Sequence, residues 1–358
     1  MKEATLLAIL SLLVKQLVLF VVPAFAVAGW MNQRMMKGGQ HPAITAIVAL
    51  GLGPAASIAL LYQIILVLPG QAYWLYITLC FLPFLALLLL FFRQSLMCFS
   101  EAWNSLQQLI LPIRFGRLLF PAGMILFLMA RVRYLWLKPI MEHDTLEYAT
   151  QGLVMFLNPV IEYSAHRYDA ATGFYYVGLH GLNFPLFGTW ELMFNAAFGT
   201  VSNMLFRSLN SYYGILILLF VFLYLRRFSP RAAWFGAAML MLSYIFFENI
   251  LKYHIDSYRL FFGIAAVWAM LECIERPQWR NFFWFGVLSG LQASAHSLGV
   301  FLSVIEFACL FLFIPLPVWP RTRMLLYAFA LFFTGGAIHY VLDITIGTGW
   351  LFKEIAFF

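Results

Sequence analysis

The stretch from residue 73 to residue 92, YWLYITLCFLPFLALLLLFF, has no charged side chain in twenty residues. About 20 apolar residues in a helix cross the roughly 30 Å hydrocarbon core of a bilayer. Across the whole chain of 358 residues, 63% are hydrophobic and 10% charged, against about 25% charged in an ordinary soluble domain. A water-soluble fold could not hide so much apolar surface, so the sequence predicts an integral membrane protein.

The same length criterion predicts about ten transmembrane spans. They are expected near residues 4–30, 43–68, 73–92, 118–137, 209–225, 232–248, 258–274, 282–295, 298–315 and 324–341. The expected fold class is therefore all-α, a polytopic transmembrane helical bundle. We expect three N-terminal helices and a basic cytoplasmic loop in residues 1–117 and a transmembrane core in residues 118–358.

The basic residues indicate which side each loop occupies. They come in twos and threes between apolar segments, which argues against a nucleic-acid partner. Twelve of the 22 fall on alternate connections, which the positive-inside rule places in the cytoplasm: Arg34, Lys37, Arg93, Arg114, Arg117, Arg226, Arg227, Arg231, Arg276, Arg280, Arg321 and Arg323. Most acidic residues and histidines then fall on the outer side, where we expect any chemistry.

The longest polar stretch runs from about residue 138 to residue 184, within a predicted outer loop of residues 138–208. The segment 185–205 of this loop is apolar enough to embed, but a span there would invert every later basic loop, so we expect a helix lying in the outer interface. A loop of this length in a compact membrane protein is typical of a functional site. The chemistry of this loop therefore decides the functional prediction.

Asp144 is the first candidate, a few residues beyond the predicted span 118–137. It lies four residues before Tyr148, so in a helix the two side chains share one face. A carboxylate at this depth could deprotonate an acceptor hydroxyl or coordinate a divalent cation. The alternative is a solvated acidic start of a helix.

Asp256 is a second acidic candidate, on the outer turn before the span 258–274. Ionisable residues at a membrane boundary tend to have a partner. Lys252 lies four residues before it and Arg259 three after it, so a local salt-bridged turn is the alternative to a functional role.

The order of these features resembles the GT-C class of membrane glycosyltransferases, in particular the protein O-mannosyltransferases and the lipid A aminoarabinose transferase. The matching pieces, over residues 118–341, are a span followed by Asp144 and Tyr148, the Pro185-Leu186 element, the basic turn LYLRRFSPRAA, Asp256, and the span pair that begins NFFWFGVLSGLQASAHSLG. Two positions depart from the class: its Pro-Pro-Leu element is here Asn183-Phe184-Pro185-Leu186, and His296 stands where many members have a lysine.

The resemblance implies sugar transfer from a polyprenyl-phosphate donor to a glycan, lipid or protein acceptor. It implies that Asp144 is the general base or a metal ligand and that Asp256 is the second acidic site. Supporting roles are expected among His143, Glu147, Tyr148, His180 and His254. Candidates for holding the donor phosphate are Lys138, Arg167, Arg207, Lys252 and Arg259, with Arg131 and Arg133 equally explained as snorkelling to the interface.

The one candidate cofactor is a divalent metal ion, with Asp144 and Asp256 as its ligands. The expected location is the bacterial inner membrane, with the active site facing the periplasm or exterior. Relatives in the class usually continue with more helices beyond the point where this sequence ends, so we expect a short member or a fragment.

A transporter or flippase for a lipid-linked or anionic substrate is the alternative function. Transporters commonly show internal repeats and charges near the bilayer midplane. No repeat is evident here, and Lys15 and Glu306 are the exceptions among nearly uncharged mid-span positions. This pattern favours an enzyme.

Overall fold

The computed structural model describes residues 10–11, 13–34, 42–110, 143–161, 168–169, 174–175, 183–199, 204–251 and 255–346. These residues are almost entirely helical, which confirms the all-α fold class. The exception is a two-stranded antiparallel hairpin that pairs Tyr168 with Tyr175 and Asp169 with Phe174.

The elements of the N-terminal half are long, apolar helices followed by the short hairpin. They are a π-helical turn Leu17–Val21, α1 Val22–Arg34, α2 Pro42–Val67, α3 Tyr73–Ile110, α4 His143–Leu157, β1 Tyr168–Asp169 and β2 Phe174–Tyr175. The described elements of the C-terminal half are helices. They are α5 Asn183–Phe198, α6 Met204–Arg226, α7 Pro230–Leu242, α8 Tyr244–Leu251, α9 Asp256–Glu275, α10 Trp279–Ala295, α11 Ser297–Phe313, α12 Val318–Phe332, a π-helical turn Phe333–Ala337 and α13 Ile338–Ile346.

Six segments among the described residues are long and apolar enough to cross a bilayer, and each coincides with a predicted span. They are Leu13–Asn32, Pro42–Val67, Tyr73–Asn104, Ser208–Arg226, Asp256–Glu275 and Val318–Leu342. The protein is therefore a polytopic membrane protein, but the count of about ten spans is not confirmed. The predicted span 118–137 lies outside the described residues.

The predicted span 232–248 is two helices, α7 and α8, each too short to cross a bilayer. The chain is extended at Ser243 (φ −67°, ψ 112°), and the Ser243 hydroxyl accepts a hydrogen bond from the Phe246 N–H at 3.4 Å. Hydroxyl side chains compete with the helix for backbone hydrogen bonds and favour caps, so a serine inside an apolar run ends one helix and starts another. The predicted spans 282–295 and 298–315 correspond to α10 and α11, of 17 residues each.

Helix α3 contains the predicted span 73–92 and continues beyond it. Its backbone is kinked at Phe91 (φ −126°, ψ 18°), at the end of that span. Leu89 and Leu90 are largely exposed, as expected for side chains that face lipid. Beyond the kink, the Ser95 hydroxyl donates to the Phe25 carbonyl oxygen at 2.7 Å, and the Phe25 and Phe99 rings stack at 5.1 Å.

The chain divides into two compact units, of which the first comprises Met1–Ser57, Ile77–Glu142 and Phe194–His254. Within it, the hydroxyls of Tyr212 and Tyr213 on α6 donate to the carbonyl oxygens of Leu50 and Gly51 on α2, at 2.7 and 3.0 Å. Helices α6 and α7 form a hairpin whose second helix begins at Ser229, an N-cap that accepts a hydrogen bond from the Ala232 N–H.

The second unit comprises Ile58–Tyr76, His143–Met193 and Ile255–Phe358. Its core is α10, which packs against α9, α11 and α12. Glycines allow these close approaches: a Cβ on Gly290 would lie 2.3 Å from the Phe332 carbonyl oxygen, and one on Gly299 would lie 2.2 Å from that of Gln292. Small residues at such positions let helix backbones approach closely, which is how membrane helices pack.

Helix α5 occupies most of the segment that we expected to lie in the outer interface. It ends at Phe198, and its side chains from Pro185 to Thr189 and at Trp190, Glu191, Met193 and Phe194 are buried. An interfacial helix keeps a polar face in water. The expected helix is present. Over residues 185–194, however, it is packed inside the protein, so it has no water-facing polar side there.

Candidate functional site

Helix α4 carries the first candidate, Asp144, as its second residue. The helical turn that the spacing predicted is present, since Asp144 and Tyr148 both lie in His143–Leu157. The Tyr148 side chain is buried. For His143, Asp144 and Glu147 the described part of the chain includes the helical backbone alone.

Helix α4 is joined to α5 by a hydrogen bond between buried groups. The Thr189 hydroxyl is 3.0 Å from the Gly152 carbonyl oxygen and 3.2 Å from the Pro185 carbonyl oxygen. A Cβ on Gly152 would lie 2.8 Å from the Pro185 carbonyl oxygen, so the two backbones are in direct contact there. This contact lies eight residues, or about 12 Å along the helix axis, from Asp144.

Helix α5 also contacts the start of α9, which carries the second candidate. The Phe187 ring meets the Tyr258 ring edge-on, with centroids 6.4 Å apart, and both side chains are buried. Tyr258 also packs on Phe262, with centroids 4.6 Å apart. Since Asp256 is only two residues before Tyr258, the buried face of α5 contacts both helices that carry candidate aspartates.

Asp256 forms an ion pair with Arg259 in the first turn of α9. The guanidinium Nη2 is 2.7 Å from Oδ1, and the two side chains are about one-fifth exposed. The local salt-bridged turn is therefore present. A guanidinium has five N–H donors, and this contact uses one of them, so the pair is compatible with an anion bound at the same arginine.

His296, at the position where the resembling class has a lysine, is the turn between α10 and α11. Its Nδ1 accepts a hydrogen bond from the Leu298 N–H at 3.0 Å, so the side chain caps α11. The half-exposed ring lies at the same end of the α10–α11 hairpin as Ser294.

The remaining candidates fall where the structure gives no side-chain position. Arg207 lies on α6, and its backbone alone is described. Lys138, Arg131, Arg133, Arg167, His180, Lys252 and His254 lie outside the described residues. Among the residues that are described, no group of three or more His, Cys, Asp or Glu side chains could hold a metal ion. The Asp144 and Asp256 metal pair stays a prediction.

The two mid-span charged residues are buried and hydrogen-bonded within their own units. Lys15 Nζ donates to Asn195 Oδ1 at 2.5 Å. Glu306 Oε2 accepts from the Ser289 hydroxyl at 3.1 Å. These contacts explain how a charged or polar side chain is accommodated among apolar helices.

Thr189 and His339 are polar residues of the second unit that the sequence pattern did not mark as candidates for the site. Thr189 lies inside an apolar segment, where no local pattern distinguishes it. His339 follows the Gly335-Gly336 pair, a break in an otherwise apolar helix that was a usable signal.

The described helices define a polytopic α-helical membrane protein. Residues 184–340, from the second residue of α5 to the third of α13, match the family model for dolichyl-phosphate-mannose-protein mannosyltransferase, which confirms the resemblance drawn from the sequence. The match covers less than half of the chain and indicates a membrane glycosyltransferase of the GT-C type that takes its sugar from a polyprenyl-phosphate donor. None of the curated proteins and none of the solved structures compared with the chain matches it.

Proposed function

We propose that this protein transfers a sugar from a polyprenyl-phosphate donor to a hydroxyl acceptor at the extracytoplasmic face of the membrane, with Asp144 as the general base. The observation that carries the proposal is the position of α5. It contacts the Asp144 helix at Gly152 and the Asp256 helix at Tyr258, and nearly all of it lies within the family match. One buried helix thus supports both acidic candidates.

The reaction is an inverting displacement at the anomeric carbon. The acceptor oxygen attacks that carbon, the bond from the carbon to the phosphate oxygen breaks, and the polyprenyl phosphate leaves with the bonding electrons. Asp144 accepts the proton of the attacking hydroxyl. Cationic groups stabilise the charge that develops on the leaving phosphate.

Arg259 is the best-placed described candidate for that stabilisation. Asp256 orients its guanidinium through the 2.7 Å contact while other N–H donors remain for a phosphate oxygen. Asp256 is then a positioning residue, and substitution of either partner is expected to weaken donor binding. Lys138, Arg167, Arg207 and Lys252 stay proposals for the same role.

The topology proposed with this function has ten crossings. The apolar helices α7, α8, α10 and α11 and the predicted span 118–137 complete the bundle, with α7 and α8 together making one crossing. The basic turns lie in the cytoplasm, and the candidate site lies outside, in a bacterial inner membrane. We also propose that residues 1–117 form a separate N-terminal part and that residues 118–358 form the catalytic core.

The test is a transfer assay with purified full-length protein in lipid nanodiscs and a radiolabelled polyprenyl-phosphate mannose. Asp144→Asn is expected to lower the transfer rate by about 100-fold or more, the usual contribution of a general base. Donor affinity should be unchanged, because the side-chain volume is kept. Glu275→Gln, an exposed carboxyl at the opposite end of α9, is the matched control and should transfer at the wild-type rate.

Undiminished transfer by Asp144→Asn would contradict the role given to this carboxylate. A wild-type protein that transfers no sugar from any polyprenyl-phosphate donor, but moves the lipid across the bilayer, would instead support the transporter alternative.

A further inference from the structure

His339 is a buried histidine next to a distortion of its helix. The π-helical turn Phe333–Ala337 separates α12 from α13, and Gly336 within it has φ +142°. A Cβ at Gly336 would also lie 2.6 Å from the Ser294 Cβ, so both backbone and packing require glycine. Single π-helical turns inside helices occur frequently at functional sites.

The distortion gives the His339 ring a fixed hydrogen bond. Its Nδ1 is 2.7 Å from the Gly336 carbonyl oxygen. A carbonyl oxygen only accepts, so Nδ1 carries the proton and the neutral ring presents its lone pair at Nε2. The ring also lies against Tyr340, with centroids 4.0 Å apart, and the Tyr340 hydroxyl donates to the Ala293 carbonyl oxygen at 2.8 Å.

The Nε2 atom is buried and has no hydrogen-bond partner among the described residues. The side chain as a whole is 4% exposed. An acceptor buried without a donor is unfavourable, and each such group in a native structure requires an explanation. Two independent features, the strained glycine turn and the buried acceptor, thus coincide at one residue.

We propose that His339 Nε2 accepts a hydrogen bond from a hydroxyl group of the sugar on the lipid-linked donor. This inference rests on the proposed function and names one contact of the same site. The polyprenyl chain has no polar hydrogen, and the oxygens of an ionised phosphodiester only accept. The sugar is the part of the donor that supplies O–H groups. His339 lies inside the apolar segment Val318–Leu342. The polyprenyl chain anchors the donor in the bilayer whichever acceptor is used.

Two substitutions separate the two ring nitrogens. In His339→Asn the amide nitrogen reaches the position of Nδ1 and keeps the bond to Gly336, but nothing replaces Nε2. In His339→Gln the amide oxygen reaches the position of Nε2 and can accept a hydroxyl proton, while the bond to Gly336 is lost. Thr345→Ala, an exposed side chain on the same helix, is the control.

The experiment measures the Kd of each full-length variant in nanodiscs for two probes, polyprenyl-phosphate mannose and bare polyprenyl phosphate, together with Tm. His339→Asn is expected to bind the sugar-bearing lipid about tenfold more weakly, the scale of one lost hydrogen bond, and to bind the bare lipid as the wild type does. His339→Gln is expected to keep the wild-type Kd for both lipids but to have a lower Tm. Thr345→Ala should match the wild type throughout.

A His339→Asn variant that binds the sugar-bearing lipid as tightly as the wild type, or that loses affinity equally for both lipids, overturns the inference. A wild-type protein that binds both lipids equally well also overturns it and leaves donor binding in place. A wild-type protein that binds neither lipid contradicts the proposed function itself, and the inference with it.

Discussion

The Thr189 hydroxyl lies 3.0 Å from the carbonyl oxygen of Gly152, 37 residues away in the chain, and joins α5 to α4. Both groups are buried, and the glycine is required because a side chain there would collide with the backbone of α5. The contact fixes the helix that carries Asp144. The stability of variants at Gly152 and Thr189 therefore tests directly whether this contact supports the candidate site.

Gly152→Ala is expected to destabilise the protein by about 1–3 kcal/mol, the usual cost of overpacking a tight contact. The new Cβ would lie 2.8 Å from the Pro185 carbonyl oxygen, and a backbone atom cannot move aside as a flexible side chain can. Thermal unfolding in detergent measures the effect. Leu153→Ala, at an exposed position on the same helix, is the control and should change stability by less than about 0.5 kcal/mol. Equal stability of Gly152→Ala and the wild type would show that the helices are not this close.

Thr189→Val removes the hydroxyl and keeps the shape of the side chain. It is expected to cost about 1 kcal/mol of stability, the net value of a typical hydrogen bond. Thr189→Ser keeps the hydroxyl and should retain the bond to Gly152 while losing one buried methyl group. Sugar transfer by Thr189→Val is expected to fall as well, because the Asp144 helix is less firmly held. A valine variant with full activity and unchanged Tm would show that this hydrogen bond supports neither the fold nor the site.

Glu306→Gln is expected to retain sugar transfer and stability. The glutamine amide oxygen can replace Oε2 as the acceptor for Ser289, so the contact between α10 and α11 is kept. Glu306→Leu is expected to cost about 1–3 kcal/mol by leaving the Ser289 hydroxyl buried without this acceptor, and Ser289→Ala should relieve much of that cost. Thermal unfolding and the transfer assay measure both effects. A stably folded Glu306→Gln variant without function would show that the carboxyl group itself is used, as a transporter would use it.

The sequence was sufficient to predict the long apolar helices that a bilayer requires. The run 73–92 is a helix because, in hydrocarbon, only a helix lets a single segment hydrogen-bond its own backbone N–H and C=O groups. Hydropathy detects such apolar runs directly. The kink at Phe91 and the break at Ser243 were not predicted, because hydropathy sums side chains and is insensitive to one non-helical residue.

The candidate site was predictable only where it is local. The spacing of Asp144 and Tyr148 correctly placed both on one helix, and that of Asp256 and Arg259 anticipated their ion pair. The contacts of α5 with α4 and α9 join residues far apart in the chain, and no periodicity encodes them. His339 was visible as an outer histidine, but its buried nitrogen depends on a glycine conformation that appears only in three dimensions.

The central claim, an outer site that contains both aspartates, is tested most directly by labelling single cysteines introduced at positions 144 and 256 in intact cells. A membrane-impermeant maleimide is added outside, and Arg227→Cys, in a predicted cytoplasmic turn, is the reference. We expect labelling at positions 144 and 256 before lysis and at position 227 only afterwards. Labelling at 227 from outside, with 144 and 256 protected until lysis, would contradict the claim.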